Sequence, residues 1–265
     1  MASKIALVTG ANKGLGYETV KALLQSDKPY HVYLGSRSVE LGQKAAQQLR
    51  TECVDLSNTV EHLQLDLTDD ESISNAYNTV NAKHGRLDVL INNAGLTKDL
   101  EGLRGQVTQR ESLLGSYNVN VAGTHTLTYT MMPLLLKSSD ARILFVSGLG
   151  SFVDARAGKI PLPANLQPGW PKSELEFETV GYRCSKVALN MLMLDYHWKL
   201  QADGVKVWAV LPGFLATDLG DARDWAIEQG AKHPSVGGLL MRDVVEGKRD
   251  HHVGCLIDRD GLHEY

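Results

Sequence analysis

Paired cysteines are what this 265-residue chain most plainly lacks. Cys53, Cys184 and Cys255 are odd in number and far apart, and no CxxC or Cys/His spacing suits a metal. They read as free thiols in a reducing, cytoplasmic setting, not as a disulfide framework. The adjacent pair His251–His252 is a poor metal clamp, since on a strand such neighbours point to opposite faces. A basic excess is missing too: 27 Lys and Arg against 31 Asp and Glu leave a formal net charge of −4. That gives no electrostatic case for nucleic acid. No apolar run reaches membrane-span length, so no membrane partner is expected. The opening MASKIALVTG carries one lysine and runs straight into a strand, which does not read as a signal peptide. Repeats and low-complexity tails are also lacking. What remains is a chain 43% hydrophobic and 22% charged, of a length that suits one α/β domain over residues 1–265.

What the chain has is alternation. Short apolar runs at 4–9, 31–34, 60–65, 87–91, 142–147, 205–211 and 253–257 read as strands. Between them, helical spacing covers 14–26, 39–52, 70–84, 108–137 (with a bend near Pro133) and 182–202. This predicts a doubly wound, seven-stranded parallel sheet with helices on both faces, a Rossmann-type fold. The segment 154–178 breaks the rhythm and holds four of the eight prolines. It follows the fifth strand, and ligands of open α/β sheets bind beyond the strands' carboxyl ends. It reads either as a cover for a pocket or as a surface excursion.

The first turn carries the clearest ligand signal. Thr9-Gly10-Ala11-Asn12-Lys13-Gly14-Leu15-Gly16 follows a strand and opens a helix. Glycines allow a tight turn and close backbone approach, and a helix N-terminus offers N–H groups to a pyrophosphate. At the end of the second strand a carboxylate would select the ribose hydroxyls of NAD. This chain has Gly35-Ser36-Arg37-Ser38 and no acid there. Arg37 is placed to meet a 2′-phosphate, with Lys13 as a second cation, so NADP(H) is expected over NAD(H). The alternative is that Arg37 is a solvated residue at a helix start.

In order along the chain, six motifs resemble the short-chain dehydrogenase/reductase family. They are Thr9-Gly-x-x-x-Gly14-x-Gly16, Asp66-Leu67, Asn92-Asn93-Ala94-Gly95, Asn120, Tyr182-x-x-x-Lys186, and Pro212-Gly213 with Thr217. Within that family the chain is most similar to carbonyl reductases, through Gly10–Gly14, the run 37–46, and the extra segment before the tyrosine. Ser147 and Tyr182 lie 35 positions apart, a longer interval than the simpler members have. The resemblance implies that such a segment often accompanies a monomer, because it covers a helix face otherwise used by dimers; monomer and homodimer both stay open.

The resemblance assigns roles. The glycine loop, Asp66, Leu67, Asn93, Ala94, Gly95, Pro212, Gly213 and Thr217 would hold the cofactor, together with Tyr182 and Lys186. Those last two are four apart on a helix and share a face. A free phenol has a pKa of about 10, and a neighbouring ammonium lowers it. Tyr182 would donate a proton to a carbonyl oxygen as hydride reaches the carbon. Lys186 would bind ribose hydroxyls, and Asn120 would hold a water linking Lys186 to solvent. The family also uses a serine near the end of the fifth strand to donate to the substrate oxygen. Counted from Arg142, that position falls on Gly148 in RILFVSGLGS. Ser147 takes the role if a residue is missing; Ser151 or a backbone N–H takes it if the register holds; otherwise no hydroxyl serves. Leu96, Phe152, Val153, Trp170, Phe214, Leu215 and Leu219 read either as a substrate wall or as local packing. The expected activity is NADPH-dependent reduction of a ketone or aldehyde of a bulky hydrophobic small molecule. Alcohol oxidation with NADP+, or a cofactor-binding scaffold or sensor with little turnover, are the alternatives.

Overall fold

The computed structural model describes residues 3–53, 57–148, 156, 166–172, 175 and 178–263. The strands are β1 (Lys4–Val8), β2 (Tyr30–Ser36), β3 (Thr59–Gln64), β4 (Val89–Asn92), β5 (Arg142–Val146), β6 (Lys206–Val210) and β7 (Leu256–Ile257). They form one seven-stranded sheet in the order β3-β2-β1-β4-β5-β6-β7. Every pairing is parallel. Strands with both faces covered read as unbroken apolar runs, and β5 is buried at all five positions. Side-chain alternation splits the interior into two cores. Ile5, Leu7 and Phe145 pack on one face with Met131 and Met193; Ala6, Val8 and Leu144 pack on the other with Leu23 and Met241.

Helices α1 (Gly14–Leu24), α2 (Val39–Glu52) and α3 (Asp70–His84) follow the first three strands. Their ends obey capping chemistry. Ser38 accepts from the Leu41 N–H at the start of α2, Asp69 accepts from the Glu71 N–H at the start of α3, and Gly85 closes α3 at φ +67°. Buried Asn58 accepts from the Tyr30 N–H and donates to the carbonyls of Leu23, Leu24 and Ser26, tying the end of α1 to the sheet.

The expected helix over 108–137 is a composite. It runs as α5 (Gln109–Tyr117), a π-helical turn (Asn118–Gly123) and α6 (Thr124–Leu135). The irregularity therefore falls at Asn120, and Pro133 lies inside α6. Among the described residues, three further helices were not expected: α4 (Asp99–Leu103), α8 (Arg223–Glu228) and α9 (Ser235–Val245). Two poor helix formers, Gly237 and Gly238, disguise α9 in the sequence, yet they bring it close against α1. Helix α7 (Val180–Leu200) precedes β6. His251 and His252 sit on a 3-10 turn (Asp250–His252), not a strand, with ring centroids 3.9 Å apart.

The amino end of the sheet is locked by charge. Arg142, 3% exposed, donates to both Asp250 oxygens at 2.5 and 2.9 Å and to Asp140 at 3.0 Å. Lys206 bridges the same two carboxylates at 3.0 and 2.8 Å. This leaves the opposite, carboxyl end of the sheet for chemistry.

Candidate active site

Between β1 and β4 the strand order reverses, and the loops leaving the two strands part there. A cavity of about 1340 Å³ opens at that point along the carboxyl ends of the strands. The loop after β1 forms one end of its wall, through Gly10, Asn12, Lys13, Gly14, Leu15 and Gly16. Gly10 has φ +61°, and a carbon added to it would lie 2.8 Å from Ala94 Cα, so a side chain is excluded twice over. Helix α1 starts here with no acidic residue in its first turn and no side-chain cap. Its N–H groups are left for an anion. The floor is pinned by Thr9, whose Oγ1 accepts from the N–H groups of Asn93 and Ala94 at 3.0 and 2.9 Å. The Asn93 side chain returns a bond to the Thr9 carbonyl at 2.8 Å.

Arg37 stands exposed on the wall beyond β2. Lys13 is engaged elsewhere: its Nζ lies 3.2 Å from Asp218, across the cavity mouth. Asp66 and Leu67 line the wall after β3, with Asp66 Oδ1 held by Thr68. Gly95 lies beside Lys186; Pro212, Gly213 and Thr217 line the side after β6. This anion cradle, with the uncapped start of α1 at one end, fits a dinucleotide cofactor.

The other end of the cavity holds the titratable pair. Tyr182 and Lys186 project from successive turns of α7, with Lys186 Nζ 5.5 Å from the Tyr182 ring centre. Lys186 is 2% exposed and donates to the Val146 carbonyl at 2.7 Å. Burial lowers its pKa to about 8 and pushes the Tyr182 phenol up to about 12. Both shifts disfavour the charged form, so the phenol carries its proton at neutral pH. Asn120 is fully buried in the π-helical turn. Its Oδ1 accepts from the Leu96 N–H at 2.8 Å, and its Nδ2 donates to the Leu96 carbonyl and to Ser185 Oγ, both at 2.9 Å. A carbon added to Gly95 would lie 3.7 Å from that Oδ1 and 3.6 Å from Lys186 Nζ, so the asparagine and the lysine face the same small space.

Of the options for the serine, the structure describes Ser147 and Gly148. Ser147 is 3% exposed, and its hydroxyl donates to Asn190 Oδ1 at 2.8 Å. The position that faces the tyrosine is 148: a carbon added to Gly148 would lie 2.7 Å from Tyr182 Oη. Ser147 also lines the cavity, but its hydroxyl donates to Asn190 of α7, while Gly148 is the neighbour whose added carbon would meet the tyrosine hydroxyl. Ser151 lies outside the described residues.

Leu96, Phe214, Leu215 and Leu219 do line the cavity. Trp170 does not: it is 88% exposed and off the wall. Phe152 and Val153, and most of the segment 154–178, lie outside the described residues. The structure adds Trp225 from α8, its ring edge-on to Phe214 at 6.2 Å, and Leu100 from α4. It also adds Asp99, which binds the backbone N–H of Tyr182 at 2.8 Å. No local signal marks these residues, because the partners are brought together only by the fold.

The family model for short chain dehydrogenases matches residues 4–159. Two curated fungal relatives cover nearly the whole chain. The short-chain dehydrogenase/reductase tropE of Talaromyces stipitatus is 44% identical over 97% of this chain and 96% of its own length. The short-chain dehydrogenase/reductase eupG of a Phoma species is 40% identical over 93% and 91%. Among solved structures, an NADPH-bound carbonyl reductase from chicken fatty liver superposes with a TM-score of 0.77 at 25% identity, covering all of both chains. A metagenomic short-chain oxidoreductase in complex with NADP matches in fold, with a TM-score of 0.67 at 23% identity over 92% of this chain and 91% of that one. The protein belongs to the short-chain dehydrogenase/reductase family. It is an oxidoreductase of that family, whose enzymes use a nicotinamide cofactor.

Proposed function

We propose that this oxidoreductase uses NADPH to reduce a ketone or aldehyde of a bulky hydrophobic small molecule, with Tyr182 as the proton donor. The observation that carries this is one continuous cavity running from the uncapped start of α1, past Arg37, to the Tyr182–Lys186 pair. When bound, NADPH supplies the hydride. The chain's residues do the rest. The glycine loop and the first turn of α1 receive the pyrophosphate. Arg37 meets the 2′-phosphate with a charge-assisted bond. Lys186 reaches the nicotinamide ribose hydroxyls. Tyr182 holds its proton on Oη and releases it to the substrate oxygen. Leu96, Phe214, Leu215 and Leu219 give that end of the cavity an apolar wall, which supports a hydrophobic substrate.

The NADPH and NADP bound in two structural relatives support the cofactor choice. The chain acts as a monomer or homodimer in the cytoplasm, a setting supported by its unpaired cysteines. Among the described residues no helix is long and apolar enough to cross a membrane. The test is a panel of aliphatic and aromatic ketones and aldehydes, offered with NADPH and with NADH, following nucleotide absorbance. Turnover with NADPH in excess of NADH on hydrophobic carbonyls is expected. Tight NADPH binding without turnover on any carbonyl would overturn the reading.

A further inference from the structure

The first turn of α7 is held by a residue from elsewhere in the chain. A helix leaves its first N–H groups without partners inside the helix. Thr179, just ahead of α7, supplies no side-chain cap. Two carboxylates take its place. Glu178 Oε1 accepts from the N–H groups of Thr179 at 2.7 Å and Val180 at 3.0 Å. Asp99 takes the next two: Oδ1 accepts from Gly181 N–H at 2.9 Å and Oδ2 from Tyr182 N–H at 2.8 Å. Arg183 N–H then closes onto the Thr179 carbonyl at 2.8 Å, and the helix runs on.

Asp99 is 2% exposed. Burying a carboxylate is costly unless its oxygens are met, and the positive end of a 21-residue helix meets them here. The Thr97 hydroxyl adds a third bond at 3.0 Å. Helix α7 is shaped to receive this group. A carbon added to Gly181 would lie 2.7 Å from Asp99 Oδ1, so a side chain there would push the carboxylate away. The segment leading to Asp99 is fixed as well, since Asn120 clamps both the N–H and the carbonyl of Leu96. The cavity wall at Leu96 and the backbone of Tyr182 are thereby joined through residues 96–99.

We propose that Asp99 is a positioning residue for proton transfer: it fixes the height and rotation of the first turn of α7, and so the aim of the Tyr182 hydroxyl. This rests on the reading of Tyr182 as proton donor. Reacting groups must be held near their productive geometry, and a small displacement of a supporting residue costs rate more than binding.

Two variants test it in the full-length enzyme with NADPH and the best carbonyl substrate of the panel. Asp99→Asn keeps the shape but turns an NH2 toward one of the two N–H groups. Gly181→Ala keeps the carboxylate and displaces it from the helix side. Both are expected to lower kcat by about tenfold or more, with substrate KM and NADPH affinity little changed. Val80→Ala, in the buried face of α3 and off the cavity wall, serves as a control for a general loss of stability and is expected to keep its kcat. If Asp99→Asn does not fold, the kcat of Gly181→Ala decides alone. Wild-type kcat in both variants, or a fall that Val80→Ala reproduces, overturns the proposal. Tyr182→Phe run alongside separates the two readings. An active Tyr182→Phe defeats the proton-donor reading itself; an inactive one beside a fully active Asp99→Asn defeats only the role given to Asp99.

Discussion

Gly148 and Tyr182 occupy one space: a carbon added to the glycine would lie 2.7 Å from the tyrosine's hydroxyl oxygen. The hydroxyl of the preceding residue, Ser147, is spent on Asn190. Restoring a serine at 148 therefore should not improve the enzyme. Gly148→Ser is expected to displace Tyr182 and lower kcat by about tenfold or more. Ser147→Ala is expected to act on stability instead. It leaves Asn190 Oδ1 without its donor, a loss of about 1–3 kcal/mol, with kcat little altered. Steady-state kinetics and urea melts on the pair check this. A large loss of kcat in Ser147→Ala at unchanged stability would return that serine to the chemistry.

Cofactor choice should rest on Arg37. Losing a charge-assisted bond to phosphate costs about 1.5–3 kcal/mol, so Arg37→Ala is expected to raise KM for NADPH by roughly tenfold or more and leave KM for NADH nearly constant. Lys13→Ala is expected to do less, because Lys13 already pairs with Asp218 at 3.2 Å. Parallel titrations with both nucleotides check this; equal effects of Arg37→Ala on NADPH and NADH would remove the 2′-phosphate from its role.

Most of the sheet was legible because its strands are buried on both faces and read as unbroken apolar runs. The ends of β1 to β6 shifted by at most two residues, and β7 shrank to Leu256–Ile257. Helix α9 was hidden by Gly237–Gly238, whose weak helix propensity is outweighed by packing against α1. The motif residues at Gly10–Gly16, Asn93–Gly95, Tyr182 and Lys186 do meet on one cavity. The direction of Ser147 was not legible, since its partner Asn190 is 43 positions away. The same holds for Asp99, 83 positions from Tyr182. A pattern read over one or two turns cannot show such pairs. Trp170 misled for another reason: an aromatic in a proline-rich stretch looks like a pocket wall, yet its side chain lies in solvent.

The buried lysine gives a pH signature. Burial alone lowers Lys186 to about 8 in the cofactor-free protein. It is charged below that pH and neutral above it. Affinity for NADPH, measured by quenching of protein fluorescence, is therefore expected to weaken as pH rises through about 8. Lys186→Met should bind more weakly and lose this step. An affinity flat across that pH in the wild type would contradict the assignment.

Acid should unlock the amino end of the sheet. Burial opposes ionisation of Asp140 and Asp250, but hydrogen bonds from Arg142 and Lys206 to both, and from Lys4 to Asp140, outweigh it and hold both carboxyls below their ordinary range. Groups depressed in this way stabilise the fold above their unfolded pKa of about 3.9, and that stability is lost as pH falls toward the folded values. Asp250→Asn should cost about 2 kcal/mol near neutrality, the pair being partly solvent-screened, and should flatten the acid limb. Urea midpoints at neutral and acid pH check this; an unchanged acid limb would show that the network contributes nothing.

The most direct measurement is kcat/KM of Tyr182→Phe with NADPH and a hydrophobic ketone, beside NADPH affinity for the same protein. A proton donor contributes about 10²–10⁴ in rate, so a loss of that size with affinity retained is the expected result. Turnover near the wild-type value would contradict the account at its centre.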